Sequence, residues 1–402
     1  MSRGYGKIFR NVLLPGYETV LRRRKTLSYL QAYERQQWLP PDALAALTWQ
    51  RLQRLIEHCW ANVPYYRRIW TELGLSSAQD IRTFSDYQRL PVLTKQHIRE
   101  NFADLHALQY SRTPQSTALL YKTTGGSTGE PLRFGYTRES YERRTAVMWR
   151  GYGWAGAWPG RRTAYLWGGT LAGSSRSAAW KDRVYNALYN RRMLDSFAMN
   201  EANLAGYARA IADAKPEIVV AYVGPIVQLA RWMLDTGTTI DGVSSIITGA
   251  EALHDFQRPV IEAAFPLAKV FNSYGCREFM LIASECEYHD GLHINVDHLH
   301  LDMLPAEQGH PRQLVLTDLS NDGMPFIRYV NGDVALPGSD APCACGRTLP
   351  KLAQVTGRKL DIIRSADGRL VPGEFFPHMF KDVPGVVRFQ VVQSRIDHLL
   401  VK

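Results

Sequence analysis

Between residues 217 and 275, short uninterrupted apolar runs alternate with amphipathic ones, and that alternation leaves few architectures open. EIVVAYV (217–223) precedes PIVQLARWMLD (225–235), SSIITGAE (244–251) precedes FQRPVIEAAF (256–265), and KVFNSYG (269–275) follows. β-rich runs with no polar alternation are buried on both faces. With helix-length segments between them, they predict an α/β layer architecture with a largely parallel sheet. Beyond residue 290 the helical segments fade, and HINVDHLHLDM, RQLVLTDL and PFIRYVNGDVALP read as a distal, smaller β subdomain.

Upstream the period is helical. Over 27–75 apolar residues recur at steps of three and four (Leu44, Leu47, Leu52, Leu55, Ile56, Cys59), and Pro40-Pro41-Asp42 opens the second helix. Thr94 opens a further short helix over 94–102. The expected organisation is a helical N-terminal segment packed on the core (1–110), an α/β core with the β subdomain (111–357), and the incomplete start of a C-terminal domain (358–402).

Composition narrows the function classes. With 45% hydrophobic and 21% charged residues the chain can build a sizeable core and is not a disordered, collagen-like or coiled-coil sequence. A net charge of +10 favours anionic partners. No Lys/Arg cluster is interleaved with aromatics as a nucleic-acid groove requires, so nucleic acid is not an expected partner. No run approaches the roughly 18–20 apolar residues of a membrane span. Arg3, Lys7, Arg10 and Arg22-Arg23-Arg24-Lys25, with Leu13, Leu14 and Leu21 between them, admit two readings: a weak peripheral membrane contact, or the plainer solvated helical face. Five cysteines in 402 residues make no disulfide framework, which suits a reducing, cytoplasmic location.

The most informative motif is Thr123-Thr124-Gly125-Gly126-Ser127-Thr128-Gly129-Glu130-Pro131, directly after the apolar TALLY. Its glycines let the backbone approach a polyanion closely, and its hydroxyls add donors, so it can cradle phosphates. A tight Gly/Ser hairpin has the same composition. It is not a Walker loop, because the G-x-x-x-x-G-K-[ST] spacing is absent and Glu130 stands where a lysine would. A second constellation is Cys286, His293, Cys343 and Cys345, a Cys₃His set suited to Zn2+. Its C-x₆-H…C-x-C spacing matches no common finger, and reduced, buried cysteines are the alternative.

The hydroxyl-rich loop resembles the phosphate loop of the adenylate-forming (AMP-binding) superfamily, and further motifs follow in the same order. They are Gly249-Ala250-Glu251, Tyr274-Gly275-Cys276-Arg277-Glu278, Arg328-Tyr329-Val330-Asn331-Gly332-Asp333 and Gly357-Arg358-Lys359-Leu360-Asp361. Within it the chain is similar to the phenylacetate–CoA ligase and CapK-like branch, on QWLPPDAL…LIEHCWANVPYYR, Glu285-Cys286 leading to Gly291-Leu292-His293-Ile294, and Cys343-Ala344-Cys345-Gly346-Arg347.

The resemblance implies an AMP-forming ligase that activates an acyl or aryl carboxylic acid with ATP and passes the acyl group to a thiol, coenzyme A. A CapK-like alternative passes it to a carrier protein, an amine or a sugar, and a non-catalytic nucleotide-binding scaffold is the reading from another class. By resemblance, Thr123, Thr124, Ser127, Thr128 and the intervening glycines hold the β/γ phosphates. Tyr274 stacks on adenine opposite Gly249, Ala250 and Glu251, Glu278 holds Mg2+, Asp333 accepts the ribose hydroxyls, and Arg358 lies near ribose and phosphates. Each alone has a plainer role: Asp333 in a hairpin turn, Glu278 as a helix-start carboxylate, Tyr274 as a core aromatic. Some relatives carry zinc at a cluster like Cys286, His293, Cys343 and Cys345, which implies a structural ion. The acyl pocket is expected near Trp167-Gly168-Gly169 and 222–226. Two departures stand out. Only Asp361 matches the paired acids usual at the hinge, and Lys402 falls too early to be the catalytic lysine of the family's C-terminal domain.

Overall fold

The hydroxyl-rich loop joins a hairpin, β1 (Leu119–Thr123) and β2 (Arg133–Thr137), paired antiparallel from Leu119 against Thr137 to Thr123 against Arg133. Its stem is tied twice: Thr124 N–H donates to the Leu132 carbonyl, and the Thr124 hydroxyl accepts from Leu132 N–H at 2.9 Å. The computed structural model describes residues 2–111, 119–124, 131–168, 176–307, 310–358, 362–366, 370–372, 376 and 389–402.

Among the described residues the centre is an eleven-stranded mixed sheet. β3 (Thr163–Trp167), β4 (Arg191–Asp195), β5 (Ile218–Tyr222), β6 (Ser245–Gly249) and β7 (Lys269–Cys276) run parallel in the order β4-β3-β5-β6-β7. Here the alternation in the sequence is realised. Val219, Ala221, Ile246 and Val270 are fully buried, and the helices Val223–Thr236 and Gln257–Ala264 supply Ile226, Leu229, Ala230 and Ile261 to the same core.

At β7 the sheet changes sense. β8 (Met280–Glu285) and β9 (Leu292–Ile294) continue from it antiparallel, followed across the sheet by β13 (Lys351–Arg358), β12 (Tyr329–Pro337), β11 (Arg312–Asp318) and β10 (Leu299–Met303). The strands after residue 290, read from the sequence as a smaller β subdomain, are hydrogen-bonded into the central sheet. They extend the same sheet, which is mixed rather than largely parallel, because β9 offers its free edge to β13 at Leu292 and His293. The turn from β7 to β8 requires glycine: a Cβ on Gly275 would lie 1.9 Å from the Met280 carbonyl oxygen.

The N-terminal helices Thr26–Gln36, Pro41–Asn62 and Pro64–Glu72 cover this antiparallel half. Pro41 occupies the first turn of its helix, and Thr94 caps Lys95–Glu100 by accepting from His97 N–H at 3.2 Å, both as the local sequence predicts. The helix Arg138–Trp154 is fixed to the antiparallel half and to the helix Thr26–Gln36 through charges that carry no sequence signature. Arg150 and Asp297, both fully buried, form a two-pronged pair in which Arg150 also donates to the Tyr33 carbonyl and to Asn295. Arg144 pairs with buried Asp318 at 2.5 Å. Removing one partner of such a pair costs about 3–5 kcal/mol, because the other charge is left desolvated.

Candidate active site

Four separate stretches of sequence meet at the end of β7. Tyr274 points its hydroxyl at Asp333 Oδ2, 2.8 Å away, and Asn331 Nδ2 donates to both, at 2.7 Å to each. Asn331 and Asp333 lie two residues apart on β12 and so share a face, while Asp333 N–H donates back to Asn331 Oδ1. Arg358 is the direct cross-strand partner of Asp333 on β13, with Nε 3.7 Å from Oδ1. Burial raises the Asp333 carboxyl above the ordinary aspartate range, and nearby Glu278 pushes the same way. The Tyr274 hydroxyl and the Arg358 charge pull it back.

Glu278 sits in the β7–β8 turn, buried, and accepts from the Tyr329 hydroxyl at 3.0 Å. Tyr329 is itself buried at the start of β12, held there by a parallel bridge to Leu93. Burial and the Glu278 charge raise the Tyr329 phenol, so it remains a donor at any physiological pH. Next to Glu278, Arg277 donates to the Thr123 carbonyl at 2.6 Å. That bond fastens the start of the hydroxyl-rich loop to the Tyr274–Glu278 turn. The Glu278 carboxylate is a hard oxygen donor, which suits Mg2+.

At the end of β6, Ala250 has φ +67°, a left-handed conformation that a side chain opposes. The bend turns Glu251 back across the sheet, where its carboxylate accepts from Gly224 N–H in the first turn of the helix Val223–Thr236. Glu251 thus has a capping role there. Gly249 lies beside β7, because a Cβ on it would sit 3.0 Å from Ser273 Oγ. Next to this end of the sheet Trp167 and Tyr222 rings lie 4.4 Å apart, Phe197 lies 5.9 Å from Tyr222, and a Cβ on Gly168 would be 3.1 Å from the Tyr222 hydroxyl.

Of the residues read from the sequence, Thr123, Thr124, Gly249, Ala250, Glu251, Tyr274, Glu278, Asp333 and Arg358 fall at this end of the sheet. Gly125, Gly126, Ser127, Thr128 and Gly129 lie outside the described residues, as do Gly169 and Asp361. Sequence reasoning passed over Asn331, Tyr329 and Arg277, although all three stand inside the motifs. The i, i+2 spacing of Asn331 and Asp333 was the available signal for one of them. Arg328, in the same motif, serves the fold: it is buried at φ +52° and paired with Asp302 at 3.2 Å.

The Cys286, His293, Cys343 and Cys345 donor atoms lie within 4.8 Å of one another. Cys286 Sγ is 3.7 Å from Cys343 Sγ, and Cys345 Sγ is 3.4 Å from His293 Nε2. His293 Nδ1 reaches the Leu349 carbonyl at 3.0 Å, which leaves the Nε2 lone pair facing the sulfurs. Burial pushes the Cys286 thiol up to about 12. Burial also acts to raise Cys345, but hydrogen bonds from Arg347, Cys343 and Cys286 together hold that thiol low. Four convergent soft donors, with the imidazole already oriented, fit Zn2+ in a closed tetrahedral site.

No protein-family model matches the chain. Curated relatives do. It is 28% identical over 371 residues to the phenylacetate–coenzyme A ligase of Thermus thermophilus, covering 89% of this chain and 80% of that protein. It is 25% identical over 374 residues to the Escherichia coli phenylacetate–coenzyme A ligase, covering 89% and 81%. Protein CapK of Staphylococcus aureus matches at 25% over 358 residues, covering 88% and 76%. Among solved structures, a 2-hydroxyisobutyryl-CoA ligase in the postadenylation state superposes with TM-score 0.70 at 21% identity, covering 92% of this chain and 79% of that one. That likeness is one of fold.

Proposed function

The chain is a relative of the phenylacetate–coenzyme A ligases and of CapK-like adenylate-forming enzymes, and from that premise we propose that it is an AMP-forming ligase. It binds ATP and a carboxylic acid. A carboxylate oxygen attacks the α-phosphorus, the bond from that phosphorus to the β-phosphate bridging oxygen breaks, and pyrophosphate leaves. A thiol, that of coenzyme A, then displaces AMP from the acyl-adenylate.

The observation that carries this reading is the convergence of Tyr274, Asn331, Asp333 and Arg358 beside Glu278, with Arg277 tying the group to Thr123. Asp333, an acceptor already flanked by donors, takes the two ribose hydroxyls. The Tyr274 ring stacks on adenine, with Gly249 to Glu251 opposite. Thr123, Thr124 and the loop after them hold the β and γ phosphates, and Arg358 is near the ribose and phosphates. Glu278, oriented by Tyr329, would hold Mg2+, which supplies charge neutralisation of the triphosphate. Catalysis here is positioning and electrostatic stabilisation. The Trp167, Tyr222 and Phe197 rings, tilted 54° and 44° at their two contacts, gather aromatic surface at this end of the sheet, which suits an aryl or other apolar acyl group. Zn2+ held by Cys286, His293, Cys343 and Cys345 would pin the β12–β13 connection to β9, a structural part.

The second reading, in which a CapK-like enzyme passes the acyl group to a carrier protein, an amine or a sugar hydroxyl in place of coenzyme A, goes with the 25% identity to Protein CapK. Thermal unfolding against Mg-ATP and non-hydrolysable acyl-adenylate analogues tests the adenylation reading. A ligand at 100 times its Kd adds about 2.7 kcal/mol of stability. A stabilising analogue whose effect disappears in Asp333→Ala supports the reading. No shift with ATP or any analogue refutes it and favours a non-catalytic scaffold. Product formation with and without coenzyme A then separates the two acceptors.

A further inference from the structure

The solvated-face reading of the basic N-terminal segment requires its apolar residues to turn inward, and in the structure most of them do not. Residues 2–21 are helical, with π-helical turns at Phe9–Leu13 and Gly16–Leu21. Phe9, Leu14 and Glu18, at steps of five and four, make the inward stripe against Tyr189 and its neighbours. Ile8, Val12 and Val20, at multiples of four, face out together with Leu13 and Leu21. Val20 is 75% exposed and Leu21 72%.

The charge around these side chains has one sign. Residues 2–25 contain seven Lys or Arg and a single acid, Glu18. That acid is buried and consumed by Arg24 at 3.2 Å and by the hydroxyls of Thr26 and Tyr189. Lys7, Arg10, Arg22 and Arg23 remain exposed at the surface. Arg138 holds the end of the segment in place by donating to the Arg22 and Arg23 carbonyls, and Arg23 takes a left-handed turn there. The helix Arg176–Leu188, packed beside it through Tyr185 against Tyr17 and Leu188 against Tyr5, leaves Trp180 63% exposed.

We propose that this N-terminal face docks the protein on an anionic lipid bilayer, its outward aliphatic side chains entering the headgroup boundary while Lys7, Arg10, Arg22 and Arg23 meet lipid phosphates. Exposed apolar residues interspersed along the segment with lysines and arginines, Arg10 also resting on the Trp158 ring, match that surface. An exposed tryptophan beside them is the side chain that settles at such a boundary. Contact is interfacial: among the described residues no helix is long and apolar enough to cross a membrane. The proposal is independent of the adenylation reading.

The test is cosedimentation of the full chain with vesicles of phosphatidylcholine alone and of phosphatidylcholine mixed with phosphatidylglycerol. Binding to the mixed vesicles, absent with phosphatidylcholine alone and released by salt, is the expected result. Arg22→Ala/Arg23→Ala should weaken it about fivefold per residue removed. Val20→Asp/Leu21→Asp should abolish it while leaving the melting temperature unchanged, since both side chains already stand in water. Failure to bind the mixed vesicles overturns the proposal, as does equal binding to both vesicle types or full retention in Val20→Asp/Leu21→Asp. A chain that binds no vesicles but dimerises in sedimentation, and becomes monomeric in that double variant, assigns the face to a second copy instead.

Discussion

The Tyr274 hydroxyl reaches Asp333 Oδ2 at 2.8 Å although their strands, β7 and β12, are four places apart in the sheet. In a flat sheet four spacings of about 4.8 Å would hold them roughly 19 Å apart, far beyond a tyrosine side chain. The antiparallel half must therefore curl back over the end of β7. The short β9–β13 pairing, confined to Lys351 and Leu352, lets it do so. The candidate nucleotide site lies within that curl.

Asp333→Asn keeps the size of the side chain but removes the charge that faces Arg358 and replaces one of the two acceptor oxygens with a donor. Loss of a charged hydrogen bond is worth about 1.5–3 kcal/mol, so affinity for ATP or an adenylate analogue should fall about 10- to 100-fold. Calorimetric titration checks this. Unchanged affinity would remove Asp333 from the ribose site.

Glu278→Gln preserves the hydrogen bond from Tyr329 and discards the carboxylate charge. Adenylation rate should drop on the order of 10²-fold, with nucleotide binding in the absence of Mg2+ little altered. Tyr329→Phe should lose less, because it frees the carboxylate without neutralising it. Pyrophosphate release measured across a Mg2+ titration distinguishes the two.

The purified protein should hold one zinc per chain by elemental analysis. Cys343→Ser should lose it and lower the melting temperature, while the buried Cys59→Ser, remote from the cluster, should keep the metal. Full zinc content in the Cys343→Ser protein would refute the assignment.

Acid stability should be set by His298. It is buried against Tyr33, whose hydroxyl lies 3.1 Å from Nδ1, with Asp318, Asp297, Arg144 and Arg143 around it. Burial takes its pKa from 6.5 to about 4, so the folded protein holds it neutral while the unfolded chain protonates it. Its contribution is complete above pH 6.5 and is lost as pH falls toward about 4. Asp318 acts lower down. Burial acts to raise its pKa, but the charge and hydrogen bond of Arg144, the His298 charge and the Ser320 N–H together hold it at about 2 against an ordinary 3.8, so its contribution is lost over that interval. Denaturant melts from pH 7 to 4 should show a falling midpoint that flattens in His298→Gln. An identical slope in the variant would exclude His298 as the cause.

Local pattern was sufficient for what is decided within a few residues: the parallel strands and helices of 217–275, the Thr94 cap and the Pro41 helix start. Strand burial, capping and backbone approach depend on neighbours in the chain, so they are written there. The tertiary structure alone decided that the strands beyond 290 extend one mixed sheet and curl over β7. It alone decided that Tyr329 orients Glu278, that Arg277 clasps Thr123, and that Arg150 is buried against Asp297. It also decided that Val20 and Leu21 face water. Those outcomes depend on which edge a strand finds and which face a helix turns inward, and both are settled by packing between segments that lie far apart in sequence.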